Sequence, residues 1–167
     1  MRLSKYLLVL LLALFCVAGC SINATGQTYV RKSFPTSENA VLVLYRPSVR
    51  AGSAWWPHVS INGKPAVELL NAGYTEIPLK PGTYKILGIG KFKELYELDL
   101  TVEANEVYYV EYAFQTSNRS KVTFVGGGPV PYGETTIDTI KWLVHDGASP
   151  PSEIQNCRYI APLNTEF

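Results

Sequence analysis

The chain has 167 residues, of which 47% are hydrophobic and 17% are charged, and its formal net charge is +1. The length fits one domain with short appendages. Because nucleic-acid binding needs clustered Lys and Arg, a charge so close to balance argues against nucleic acid as a partner. The low charged fraction and the 11 tyrosines also exclude a coiled coil and an ordinary disordered chain.

The first residues have the layout of an export signal. Arg2 and Lys5 give a positive start, and an uncharged apolar run follows over Tyr6–Val17. A membrane-spanning helix needs about 20 apolar residues, and this run is shorter. The sequence therefore predicts a cleaved signal rather than a retained transmembrane anchor.

The segment Val17–Cys20 resembles a bacterial lipobox, with Val where Leu is the commonest residue. The resemblance implies that residues 1–19 are removed and that Cys20 is acylated on its thiol and its amine. Each buried methylene contributes about 0.8 kcal/mol, so two or three acyl chains hold a protein on a membrane without crossing it. The alternative is a generic signal peptide in which Cys20 has no role.

The residue after Cys20 bears on localisation. In lipoproteins of diderm bacteria, Asp at this position usually retains the product at the inner membrane, and this chain has Ser21. The resemblance therefore implies the outer membrane, with the protein facing the periplasm.

Maturation would leave one of the three cysteines, Cys157, because Cys16 leaves with the signal and Cys20 carries lipid. A disulfide framework is therefore excluded. Cys157 can be a reactive nucleophile, a pairing partner for another chain or a buried small hydrophobe. Burial is favoured because no sequence context typical of a cysteine nucleophile surrounds it.

The hydrophobic pattern changes abruptly at residue 40. Residues 20–39 comprise the lipidated N-terminus that the lipobox resemblance implies at Cys20 and a tether, which the polar sequence without periodicity predicts. Ala40–Arg46 is apolar on both alternating sets, as expected for a strand covered on both faces, and Pro47 ends it.

Turn residues separate the strands that follow. Asn62-Gly63 predicts a type I′ hairpin, and Lys80-Pro81-Gly82 predicts a type II turn. The strands predicted around and after these turns are His58–Ile61, Lys64–Leu69, Tyr74–Leu79, Thr83–Ile89, Tyr96–Glu103, Val107–Gln115 and Lys121–Val125. About seven to eight short strands predict an all-β fold, an antiparallel β-sandwich over residues 40–125.

Residues 126–167 are predicted to form a C-terminal extension. Within it, Thr136–Val144 fits either a short helix, with Ile137 and Ile140 on one side and Gly147 beyond its end, or an eighth strand. The spacing favours the helix.

Four segments with strand and turn signals occur in the order Ala40–Pro47, Val59–Lys64, Leu79–Tyr84 and Glu103–Tyr109. This order resembles bacterial lipoproteins that carry the domain of unknown function 2846, and the likeness covers about Ala40–Phe124. None of these segments is a catalytic motif. The resemblance therefore implies a fold and a compartment, and it implies no activity.

The sequence predicts no catalytic residue, no cofactor and no metal site. The two histidines are His58 and His145, and no Gly-x-Ser-x-Gly motif is present. Once Cys16 is removed with the predicted signal, histidines and cysteines do not occur in pairs at metal-ligand spacing.

One cluster is a candidate binding surface: Trp55, Trp56 and His58, with Arg46 near them in the chain. Two adjacent aromatic residues on a strand cannot both point inward, so one ring is expected to be exposed. An exposed ring stacks on a sugar or anchors a protein partner. The alternative is that Trp56 fills the sandwich core and Trp55 caps its edge.

The predicted function is therefore a non-enzymatic binding or structural role in the cell envelope. The membrane is contacted through the lipid on Cys20, and the further partner is an envelope protein or glycan. The alternative is a small periplasmic hydrolase acting on cell-wall material, with His58 or His145 as its base. A pocket that joins either histidine to a Ser, to Cys157 or to a carboxylate would favour the hydrolase.

Overall fold

The computed structural model describes residues 22–50, 53–90, 93–125, 128–145, 147 and 149–167. The predicted signal peptide over residues 1–19 and the lipidated Cys20 lie outside these residues. Within the described ranges, no helix is long and apolar enough to cross a membrane.

Two sheets form an all-β sandwich, which confirms the fold predicted from the sequence. In the part of the chain that the structure describes, the strands are β1 Ala40–Arg46, β2 His58–Ile61, β3 Lys64–Glu68, β4 Gly73–Leu79, β5 Gly82–Ile89, β6 Leu95–Val102, β7 Val107–Val125, β8 Gly128–His145 and β9 Arg158–Tyr159. A short 3-10 helix covers Ser152–Asn156. The five-stranded sheet has the order β8-β7-β1-β4-β9 and the four-stranded sheet the order β3-β2-β5-β6. Most neighbouring strands are antiparallel, whereas β1 with β7 and β4 with β9 pair in parallel.

The central strand β1 is buried on both faces, as its apolar pattern predicts. Leu42 and Leu44 point into the core between the two sheets. Val41 and Val43 point to the other face and join a second apolar cluster with Tyr74. A strand can be apolar on both sides only if both sides are covered, so a further element must lie on the outer face of the five-stranded sheet.

Residues 22–39, which we call the N-terminal strap, supply part of that cover. The Ala24 amide donates to the Asn71 carbonyl at 2.9 Å, and the Tyr29 amide donates to the Cys157 carbonyl at 2.9 Å. The predicted tether is therefore held against the domain over these residues, a point that the sequence left open. The backbone of the strap forms hydrogen bonds with residues that are remote in the chain. Such pairing leaves no periodic pattern in the sequence.

The favoured helix over Thr136–Val144 is wrong and the strand alternative is right, because these residues belong to β8. This strand pairs antiparallel with β7 over its whole length, with Trp142 opposite Tyr112. The segment is rich in β-branched residues, which favour strands, and the pairing with β7 outweighs the helical spacing of its apolar residues. The described residues beyond 128 thus contribute β8 and β9 to the five-stranded sheet.

The strand β7 is longer than predicted. The sequence suggests two strands, over Val107–Gln115 and Lys121–Val125, and the structure has one continuous strand of 19 residues. Only its first five residues pair with β1. Pairing with β8 continues from Tyr109 to Val125.

Candidate functional site

The predicted aromatic segment lies where the chain enters β2, at one end of the sandwich. Trp55 is half-buried and packs against the core between the sheets, with its ring centroid 6.4 Å from that of Tyr112. Trp56 is also half-buried, and its indole N–H has no hydrogen-bond partner among the described residues. Neither ring is therefore fully exposed, contrary to the expectation, and Trp55 rather than Trp56 packs against the core, contrary to the alternative.

His58 is the most accessible member of this segment. Its side chain is 62% exposed, and Nδ1 lies 3.5 Å from the carboxylate of Glu68 on the neighbouring strand. Together with the partly exposed ring of Trp56, His58 places an aromatic and a polar group where β2 begins.

Arg46, in contrast, is fully buried and is not part of any exposed surface, which corrects the prediction. Its Nη1 donates to the Trp55 carbonyl at 2.6 Å, and the guanidinium carbon lies 5.8 Å from the Trp55 ring centroid and 5.0 Å from that of Phe114. Burial lowers the pKa of Arg46 to about 10, so the guanidinium remains charged at neutral pH. A planar, weakly hydrated guanidinium suits such a site between aromatic rings and carbonyls.

An aromatic cluster surrounds Tyr112 on the same side of the core. The Tyr112 ring makes edge-on contacts with Tyr96 at 5.9 Å and Trp142 at 5.1 Å between centroids. The Trp142 indole donates to the Tyr96 carbonyl at 2.8 Å, which joins β8 to β6 across the sandwich. A side chain at Gly88 would clash, because an added Cβ would lie 2.9 Å from the Trp142 ring.

His145 lies in a small polar cluster on the outer side of the five-stranded sheet. The Glu111 carboxylate accepts a hydrogen bond from the Tyr45 hydroxyl at 3.0 Å, and the same oxygen is 3.2 Å from His145 Nε2. Burial, with a further contribution from Glu111, raises the pKa of the Tyr45 hydroxyl. A histidine oriented by a carboxylate is one part of a general-base arrangement.

Cys157 does not supply a nucleophile to this cluster. It is free and buried, as the sequence suggests, and its thiol donates to the Arg46 carbonyl at 3.5 Å. Burial raises the pKa of the thiol to about 12, with a smaller contribution from Glu111. Because the thiolate is the reactive form, Cys157 is an inert packing residue at neutral pH.

The sequence did not reveal the contact between Tyr45, Glu111 and His145. These residues are brought together by the register of three strands, with Tyr45 opposite Glu111 and His145 opposite Tyr109. The parallel pairing of β1 with β7 joins residues more than 60 positions apart and leaves no local signal. Among the described residues, no group of three or more His, Cys, Asp or Glu side chains is arranged to hold a metal ion.

The fold defines a β-sandwich protein with its candidate binding surface at the start of β2. A family model described as "Protein of unknown function (DUF2846)" matches residues 36–128. This match covers more than half of the chain, and the chain therefore belongs to the DUF2846 family. No curated protein and no solved structure matches it. Most of the strap, nearly all of β8 and the whole of β9 lie outside the matched residues.

Proposed function

We propose that this chain is a lipid-anchored protein of the bacterial outer membrane that faces the periplasm and has a non-enzymatic binding or structural role. The lipobox resemblance at Val17–Cys20 and the membership of the DUF2846 family support this proposal. The anchor is the acylated Cys20, and the folded sandwich is the part that acts.

The observation that carries the proposal is a backbone hydrogen bond to the domain two residues after Cys20. The amide of Ile22 already donates to the Ser53 carbonyl at 3.0 Å. Only Ser21 separates Ile22 from Cys20, and two residues of extended chain reach at most about 7 Å. Acyl chains on Cys20 would therefore be attached almost directly to a folded domain.

The surface formed by Trp56 and His58 supports a binding role. The partly exposed ring of Trp56 near the polar His58 is suited to stack on a sugar or to contact a protein side chain. Arg46 is buried and does not belong to this surface. The carboxylate of Glu68 lies beside His58 and does belong to it. The proposed partner is a protein or glycan of the cell envelope.

Photo-crosslinking in intact cells tests the binding role. We expect a photoreactive residue in place of Trp56 to give a discrete adduct that is absent when the same residue replaces Leu95, which is exposed on β6. Repeated crosslinking at position 56 that yields no adduct, or the same adducts at both positions, would count against this surface.

A second candidate function is a small hydrolase acting on cell-wall material, and the contact between His145 and Glu111 favours it. The raised pKa of Cys157 and the exposed position of His58 favour the non-enzymatic role instead. We expect purified protein to release no soluble product from cell-wall material. Product release that is lost in both His145→Ala and Glu111→Gln would establish the hydrolase.

A further inference from the structure

The N-terminal strap has two different faces in its extended part. Tyr29 and Ser33 point toward the sheet, where the Tyr29 hydroxyl is 3.0 Å from that of Tyr109. Val30, Lys32 and Phe34 alternate with the inward residues and are exposed, and the Lys32 ammonium lies 3.8 Å from the centroid of the Tyr159 ring on β9. This alternation is that of a strand with one covered face and one free face.

The outward face combines exposed apolar side chains with cations. Val30 is 65% exposed and Phe34 is 69% exposed, the two highest values among the large hydrophobic residues that the structure describes. Lys32 lies between them, and Arg158 of β9 is beside the strap, where its guanidinium donates to the Gly26 carbonyl at 3.2 Å.

An open groove of about 860 Å³ runs along this face. Its described lining includes the cations Lys32 and Arg158 and the apolar Val30, and it includes no carboxylate. Apolar side chains next to Lys and Arg are the combination by which interfacial segments contact anionic lipid.

The strap cannot move far from the membrane if Cys20 is acylated. Its backbone is fixed to the domain along its length, because the Glu76 carboxylate accepts hydrogen bonds from the amides of Lys32 and Ser33. Ile22 is within about 7 Å of the acylated residue. A strap standing upright on the membrane would leave Val30 and Phe34 in water, whereas a strap lying flat would place both at the lipid surface.

We propose that the outward face of the strap lies on the bilayer that holds the acyl chains. In this arrangement Val30 and Phe34 enter the interface, and Lys32 and Arg158 contact lipid phosphates. This inference rests on the lipid anchoring proposed above, and it adds an orientation: the five-stranded sheet faces the membrane and the four-stranded sheet faces the periplasm.

Site-directed spin labelling of the lipidated protein in vesicles of phosphatidylethanolamine and phosphatidylglycerol tests this orientation. A nitroxide is attached to Phe34→Cys and, as the matched control, to Leu95→Cys, which is 59% exposed on the opposite sheet. Labelling is selective because Cys157 is buried and Cys20 carries lipid. We expect the label at position 34 to be more accessible to oxygen than to a water-soluble nickel complex, and the label at position 95 to show the reverse.

The outcomes separate the two proposals. A protein that floats with the vesicles but has a water-exposed label at position 34 overturns the orientation alone. A protein that does not float overturns the anchoring and, with it, the orientation. A double variant, Lys32→Glu with Arg158→Glu, should raise the nickel accessibility of the label at position 34 several-fold, and an unchanged accessibility would overturn the contact with lipid phosphates.

Discussion

Arg46 shows how a single residue holds one end of the sandwich together. Its guanidinium is fully buried, donates to the carbonyls of Trp55 and Leu69, and lies against the ring of Phe114. Removing it would leave a cavity and two carbonyls without this donor. Both effects are costly in a well-packed interior.

We therefore expect Arg46→Ala to lower the free energy of unfolding by about 2–5 kcal/mol. Urea denaturation followed by tryptophan fluorescence measures this change. Arg50→Ala, at an exposed position in the following loop, is the matched control and should unfold at nearly the wild-type urea concentration. Equal midpoints for the two variants would show that Arg46 is not a structural residue.

A second prediction about a single residue concerns Cys157. Burial raises the pKa of its thiol to about 12 in the folded chain, whereas an unfolded cysteine has a pKa of about 8.5. The folded state therefore keeps its proton when the unfolded state loses it. The stability that this residue contributes is fully present below about pH 8.5 and is lost as the pH rises toward 12.

The stability difference between wild-type protein and Cys157→Ala should accordingly shrink as the pH rises from about 8.5 to 12. Chemical denaturation at a series of pH values measures it. In parallel, an aromatic disulfide reagent at pH 8 should react with Cys157 only after denaturant is added. If the stability difference stays constant with pH and the native protein is labelled rapidly, the thiol of Cys157 is not buried.

At the scale of elements, the strap is the feature that distinguishes this sandwich from the one expected. It is held by Glu76, a buried carboxylate on β4 that accepts hydrogen bonds from the amides of Lys32 and Ser33. An alanine at this position leaves both amides without their acceptor. The cost of a lost hydrogen bond of this kind is about 1–3 kcal/mol.

Glu76→Ala should therefore release the strap while the sandwich remains folded. We expect trypsin to cleave after Arg31 and Lys32 at least several-fold faster than in the wild type, with amide exchange rising in the same segment. Glu103→Ala, at an exposed position outside β6, controls for the loss of a carboxylate. Unchanged cleavage at Arg31 would show that Glu76 does not hold the strap.

Local signals explain which elements could be predicted from the sequence. Asn62 and Gly63 have φ values of 49° and 78°, as the predicted type I′ turn requires, and β1 is buried on both faces as its composition indicates. The sequence left a helix and an eighth strand open for Thr136–Val144 and favoured the helix, and only the pairing with β7 decides for the strand.

The candidate site was less predictable for the same physical reason. Trp56 and His58 are neighbours in the chain and could be found as a motif. The contact between Glu111 and His145 depends on strand register, and Arg46 packs against the ring of Phe114 on the distant strand β7. Neither arrangement leaves a local pattern in the sequence.

At the scale of the whole molecule, the two ends of the described chain close the sandwich on different sides. The strap covers the outer face of the five-stranded sheet, and the Leu163 amide donates to the Ala66 carbonyl on β3. Phe167 packs against the core between the sheets. With the strap on the membrane, β2 and the surface formed by Trp56 and His58 belong to the sheet that faces away from the lipid.

The anchoring of this sandwich through Cys20 is the central claim, and the mass of the amino-terminal tryptic peptide from membrane-extracted protein tests it most directly. We predict a peptide that begins at Cys20, ends at Arg31 and carries a thioether-linked diacylglycerol and an acylated amine. Cys20→Ser should abolish this peptide and leave the chain uncleaved at residue 19. A wild-type peptide with an intact bond between Gly19 and Cys20, or with an unmodified Cys20 thiol, would contradict the account.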